Sequence, residues 1–198
     1  MKLEDAALIR SGLVLSRKKA KREEGVCYPL ITLRSIEING EINRASLENY
    51  VADQPLNEVY LTHVGDIVVR LSYPYTAVLI DESTADMVIS SNFVVIRVNE
   101  QIFLPEYLVW LLNTEEVRRN AYDNATSNML GTIKAKYFTD FEIDPIPISD
   151  QLKIAKLHAL AQKEIRLLTE LAEEKRKYYA RAITLIQGDL IRSHHHDN

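Results

Sequence analysis

At 198 residues the chain has room for one moderate domain with a proper core, or for a smaller domain joined to an extended element. Hydrophobic residues make up 46% and charged residues 26%, with only 6 Gly and 6 Pro, a composition that folds and excludes a disordered chain. The net charge of -4 argues against a sequence-independent nucleic-acid binder, which neutralises phosphates with an excess of Lys and Arg. Residues 1–150 carry 15 Lys and Arg against 22 Asp and Glu, and residues 151–198 carry 9 against 6, so any contact of the first part with a polyanion must be local. The single cysteine, Cys27, forms neither an internal disulfide nor a zinc site, which suits a reducing cytoplasm. The acidic start Met1-Lys2-Leu3-Glu4-Asp5 is unlike a signal peptide, and no apolar run reaches the roughly 18 to 20 residues of a membrane span. The expectation is a cytoplasmic protein with no membrane partner.

In chain order, Pro29-Leu30-Ile31-Thr32-Leu33 predicts a strand. Ile36 to Ile42 predicts a hairpin turning at Asn39-Gly40, residues that tolerate positive φ. Val64-Gly65-Asp66 breaks into the β-branched run Ile67 to Leu71, and Tyr75 to Ile80 and Asn92 to Val98 continue the strand pattern. Pro105 suits the first turn of a helix through Leu112, and a second helix is predicted from Thr114 to about Ala121. Ala125 to Gly131 reads as a polar break, and Phe138 to Pro147 as a last strand that stops at Pro145. The sum is a mixed, β-rich α/β domain over residues 1–148.

After Gln151 there is no Pro, and no Gly until Gly188, which predicts one helix over 149–187, about 55 Å long at about 1.5 Å per residue. Ser149 or Asp150 is its expected N-cap, and 188–198 is expected to be a flexible tail. Ile154, Leu157, Ala161, Ile165, Leu168, Leu171, Tyr178, Ala182 and Leu185 recur mostly three or four apart, giving one apolar stripe. The stripe packs either on the chain's own domain or on another helix. The predicted length exceeds the diameter of a 150-residue globule and favours the second.

The junction Pro145-Ile146-Pro147-Ile148-Ser149-Asp150-Gln151-Leu152-Lys153-Ile154 resembles the proline-rich strand end and glutamine-bearing helix start that close each target recognition domain in type I restriction-modification specificity subunits. Asp150 stands where that family most often has Glu. Further landmarks follow in the family's order: Ser11-Gly12, Pro29-Leu30-Ile31, Gly65-Asp66-Ile67-Val68-Val69, Ser91 to Ile96, Leu104-Pro105-Glu106-Tyr107-Leu108, and the small polar loop from Ala125-Thr126-Ser127 to Ile133. The resemblance covers nearly the whole chain. It implies a target recognition domain followed by a spacer helix, one such unit where a full-length specificity subunit has two. Two copies pairing their helices as an antiparallel coiled coil would then make a homodimer that reads a bipartite target.

The resemblance further implies double-stranded DNA and a DNA methyltransferase subunit as partners, with a motor-nuclease subunit able to join. Arg17, Lys18, Lys19, Lys21 and Arg22 put five cations in six positions, as a phosphate grip or as a solvated loop. Base reading needs polar side chains on loops that enter a groove. The candidates are Arg70, Ser72, Tyr73 and Tyr75 in one loop, where strand-end packing is the competing role, and Thr126, Ser127, Asn128, Lys134 and Lys136 in another.

The sequence lacks a glycine-rich cofactor turn, an Asn/Asp-Pro-Pro-aromatic motif, a Walker lysine and a Gly-x-Ser-x-Gly elbow. His63 and His158 stand alone, and His194-His195-His196 lies in the tail, so neither a metal site nor a catalytic triad is expected. The expectation is a non-catalytic reader that binds no cofactor itself, with S-adenosylmethionine carried by the methyltransferase. A dimerising regulatory module that competes with a full-length specificity subunit without reading DNA is the alternative.

Overall fold

The computed structural model describes residues 1–20, 25–126 and 131–196. The chain forms two compact units, Met1–Ala155 and Lys156–Asn198. The first is a mixed α/β domain built on two sheets. Strands β1 (Ala7–Ser11), β4 (Ile67–Arg70), β5 (Ala77–Leu79) and β7 (Phe93–Val98) form a four-stranded antiparallel sheet in the order β1-β7-β4-β5. Strands β2 (Val26–Ile31), β3 (Glu48–Ala52) and β6 (Val88–Ile89) form a smaller sheet in which β3 lies antiparallel and β6 parallel to β2.

The central strands β4 and β7 are buried on both faces, which is why they read as unbroken β-branched runs rather than as alternation. Ile67, Val69, Val94 and Ile96 join a core with Phe103, Leu108, Leu112 and Phe138. Their neighbours Val68, Phe93 and Val95 turn to the other face and pack with Ile31, Ile36, Val78 and Ile89. Helices α1 (Pro105–Leu112), α2 (Glu115–Thr126) and α3 (Ala135–Thr139) supply the first layer, and the small sheet supplies the second. Pro105 occupies the first turn of α1, where its missing N–H costs nothing.

Several boundaries differ from the sequence expectations. The tract from Phe138 is not a strand: Phe138 is buried within α3, and Phe141 to Ile143 makes only a short bridge to the N-terminus, through Leu3 N–H to Phe141 O (2.9 Å) and Ile143 N–H to Met1 O (2.9 Å). Pro145 and Pro147 donate no N–H, so the ladder stops there. Tyr75 precedes β5 in a turn with φ +56°, and α2 runs five residues past Ala121 to Thr126. The Asn39-Gly40 turn is present, with Gly40 at φ +86°, but its arms share a single bridge, Ile36 with Ile42.

Helix α4 (Ile148–His196) begins before the expected caps, since the Pro147 carbonyl accepts from Asp150 N–H (2.9 Å) and Gln151 N–H (3.0 Å). Ser149 and Asp150 therefore sit in its first turn, where Asp150 pairs with Lys153 at 2.7 Å. The helix also passes Gly188, because one glycine costs only about 1 kcal/mol in a helix. Among the described residues no helix is long and apolar enough to cross a membrane.

Candidate nucleic-acid interface

The two loops singled out from the sequence meet in space. Ile133 N–H donates to Leu71 O at 2.8 Å, Ser72 bridges Thr132, and the Tyr75 hydroxyl donates to Gly131 O at 3.3 Å. Gly131 has φ +60°, a left-handed conformation that a side chain would strain. The turn after β4 and the segment entering α3 thus form one seam. On it Tyr73 is 71% exposed, while Ser72 is half-buried in the bridge. Tyr75, grouped with them from the sequence, is corrected to a core position: it is 3% exposed, its ring meets Tyr73 edge-on, and burial pushes its phenol up.

Arg70, at the end of β4, donates to Ile36 O (3.3 Å) and Tyr73 O (3.2 Å) and so braces the turn from beneath. Lys134 stands at the N-cap position of α3 with no side-chain capping bond, and both Lys134 and Lys136 are exposed. They line a cleft of about 700 Å³ together with Asn120, Tyr137, Asp140 and Glu142. Hydrogen bonding from Lys2 holds the Asp140 carboxyl below its ordinary range, helped by the charges of Lys2 and Lys136. Two lysines therefore face two carboxylates, and the cleft is polar rather than strongly basic. Thr126 ends α2 with its hydroxyl on Asp123 O at 2.9 Å. Ser127 and Asn128 lie outside the described residues.

The basic run sits elsewhere in the fold. Arg17 closes a short 3-10 turn (Leu15–Arg17), and Lys18 and Lys19 follow with exposed side chains. Ala20 N–H donates to Val51 O and Asp53 N–H to Lys18 O, each at 3.0 Å. The run thus adds to the free edge of β3, and Lys21 and Arg22 lie outside the described residues.

One group of residues was missed from the sequence. Arg118 on α2 donates to Asn113 Oδ1 (2.6 Å) and Ile38 O (3.2 Å), and Asn113 is itself fixed by Ala77 N–H (3.0 Å) and Ala77 O (2.8 Å). With Arg119, Tyr122, Tyr73 and Glu115 it lines a groove of about 490 Å³. The available signal was the i, i+4 spacing of Arg118 and Tyr122, which puts both on one helix face.

Two landmarks of the sequence turn out to be structural anchors. Asp66, fully buried, accepts from Arg97 Nε (2.7 Å), Arg97 NH2 (2.9 Å) and His63 N–H (2.9 Å), with Arg10 at 3.9 Å. Its hydrogen bonds raise the Arg97 guanidinium, whereas burial lowers that of Arg10. Gln151, also fully buried, accepts from Leu104 N–H (2.8 Å) and donates to Ile102 O (2.7 Å) and Ile146 O (2.8 Å). It ties the first turn of α4 to the cap of α1.

Helix α4 carries the predicted stripe, of which Leu157, Ile165, Leu168, Leu171, Tyr178 and Leu185 are each more than half exposed. Ala161 and Ala182 are half-buried, and Ile154 packs against the domain core.

No family model matches the sequence, and no curated protein matches it. Among solved structures, the HsdS subunit from Thermoanaerobacter tengcongensis superposes with a TM-score of 0.68 at 16% identity, over 89% of this chain and 45% of that one. A chain from a structure describing complex assembly and conformational transition of the type I R-M system superposes with a TM-score of 0.64 at 17% identity, over 88% of this chain and 45% of the other. The chain spans about half the length of these structures. At such identities the likeness is one of fold: a mixed α/β domain followed by a long helix, the fold of HsdS subunits of type I restriction-modification systems.

Proposed function

We propose that this chain is a DNA sequence-recognition subunit of a type I restriction-modification system, acting in the cytoplasm and directing a partner adenine methyltransferase to a bipartite target. The observation that carries the reading is the HsdS fold over 89% of the chain. The exposed cations support it: Arg17, Lys18 and Lys19 beside β3 suit phosphate contacts, and Lys134, Lys136 and Tyr73 stand on the seam where base edges would be read. Thr126, at the end of α2, is assigned the same reading role, as are Ser127 and Asn128.

The chain does no chemistry in this scheme. It fixes position, and the methyltransferase brings S-adenosylmethionine, flips the target adenine and transfers the methyl group. A motor-nuclease subunit joins the same assembly where the system restricts DNA. The exposed stripe of α4 pairs with the α4 of a second copy as an antiparallel coiled coil, and helix length sets the spacing of the half-sites.

Methylome sequencing with and without the gene tests this function. Loss of a bipartite adenine-methylation motif is the expected result, and an unchanged methylome would overturn the reading.

A further inference from the structure

The groove between α2 and the turn after β4 holds positive charge that no described residue balances by an ion pair. Among the described residues, Arg118 donates to Asn113 Oδ1 and Ile38 O alone, and Arg70 behind it to Ile36 O and Tyr73 O alone. Every acceptor is neutral, and among the described residues neither guanidinium reaches a carboxylate. The Nε atoms of both arginines are buried without a partner among the described residues. Partial burial lowers both groups, yet a guanidinium stays charged under all ordinary conditions. Arg119 adds an exposed third charge, and among the described residues Glu115 is the one carboxylate lining the groove.

A half-buried cation without a counter-charge is costly, and an arriving anion relieves that cost. The rim fits the same ligand. Tyr73 and Tyr122 are 71% and 51% exposed, and each phenol offers a neutral O–H donor. Because Arg70 and Arg118 are bound to main-chain carbonyls of residues 36, 38 and 73, they cannot extend toward base edges. The anion must come to them.

We propose that this groove seats a backbone phosphate of DNA, with Arg118 and Arg119 supplying charge, Tyr73 and Tyr122 donating from the rim, and Arg70 positioning the turn that carries Tyr73. Such a contact carries no sequence information but fixes the register in which the adjoining seam meets the bases. The inference rests on the DNA-reading role and assigns it a site that the Lys134 and Lys136 cleft does not include.

The test is a set of equilibrium titrations of the full chain on a random-sequence duplex at several salt concentrations. Arg119→Gln and the double variant Tyr73→Phe/Tyr122→Phe change only exposed groups and leave the fold intact. Each is expected to weaken binding roughly three- to tenfold, and Arg119→Gln to flatten the slope of log affinity against log salt by about 0.9 for one lost phosphate. Arg118→Gln should do the same, with a melting curve recorded alongside because its side chain also braces Ile38. Wild-type affinity and slope in the Arg119 and tyrosine variants, with weakened binding in Lys134→Gln/Lys136→Gln, would overturn the phosphate seat and leave the DNA-reading role standing. No duplex binding by the wild-type chain would overturn the phosphate seat alone, since loss of the methylation motif decides the DNA-reading role separately.

Discussion

The N–H of Ile133 donates to the carbonyl of Leu71 at 2.8 Å, the shortest of the links that join two loops lying far apart in the chain. Tyr75 secures the same junction from within the core through its hydroxyl on Gly131 O. Tyr75→Phe is expected to cost about 1 kcal/mol, the net worth of one hydrogen bond. Tyr75→Ala, which empties the buried ring position, should cost about 3 to 5 kcal/mol. Urea denaturation measures both, and hydrogen exchange at the Ile133 amide should accelerate in Tyr75→Ala. Unchanged protection there would show that the seam is held without Tyr75.

Asp66 is the sole carboxylate among the described residues that pairs with Arg97 or Arg10. Asp66→Asn keeps the shape and removes the charge, leaving two guanidiniums facing a neutral group. A loss of about 3 kcal/mol is expected, at the lower end for a broken buried pair, because the Arg97 side chain is 43% exposed and partly served by water. A shift in the urea midpoint worth less than about 1 kcal/mol would mean that solvent screens the cluster.

Gln151→Leu preserves volume and strands three main-chain groups at once: Leu104 N–H, Ile102 O and Ile146 O. Each buried polar group left unpaired costs about 1 to 3 kcal/mol, so a total of at least about 3 kcal/mol should appear in denaturation of the full chain. A smaller loss would show that water reaches the junction between α1 and α4.

What was legible in the sequence follows from how local each signal is. The β-branched runs of β4 and β7 and the proline opening α1 declare themselves within a few residues. By contrast, β3 is the polar tract Glu48-Asn49-Tyr50-Val51-Ala52, and β6 is two residues long; both exist because β2 pairs with them. The alternation of Phe141 and Ile143 is real, but its partner is a short bridge at residues 1–3, so no strand forms. At the proposed interface, loop chemistry picked out Tyr73 and Lys134, but nothing local shows that their loops touch. Glu115-Glu116-Val117-Arg118-Arg119 reads as an ordinary solvated helix face. Only the fold reveals that Arg118 lies against the 36–42 turn without a carboxylate partner among the described residues.

Asp81 supplies the pH-dependent prediction. Its Oδ1 accepts from the Ser83 hydroxyl (2.8 Å), Ser83 N–H (2.9 Å) and the Thr84 hydroxyl (2.9 Å). These bonds, the Ser83 hydroxyl foremost, hold the carboxyl below its ordinary value of 3.8. A depressed folded-state pKa stabilises the protein above that ordinary value, and the contribution is lost as pH falls through the folded one. Ser83→Ala should move the Asp81 titration upward when followed by carboxyl NMR. It should lower stability at neutral pH and leave it unchanged in strong acid. An unmoved titration would assign the depression to the backbone donors instead.

The pairing of α4 is testable through charge. Leu157, Ala161, Leu168, Leu171, Tyr178, Ala182 and Leu185 fall on alternating three- and four-residue steps, the a and d positions of a heptad, and the same steps place Glu164 and Lys175 in the seam, while Ile154 is taken up by the domain core. Two copies running antiparallel and centred between Leu168 and Leu171 set Leu168 opposite the second copy's Leu171 position. In that register large meets small, with Ala161 across from the Tyr178 position and Leu157 across from the Ala182 position. Glu164 meets the Lys175 position twice, once on each side of the centre. Glu164→Lys would then oppose like charges at two symmetric points, as would Lys175→Glu, and light scattering should report the mass of one chain for either variant. The double exchange Glu164→Lys/Lys175→Glu restores the complement and should return the mass to that of two chains. A double variant that stays a single chain, or a wild type that is one chain at every concentration, would rule out this register.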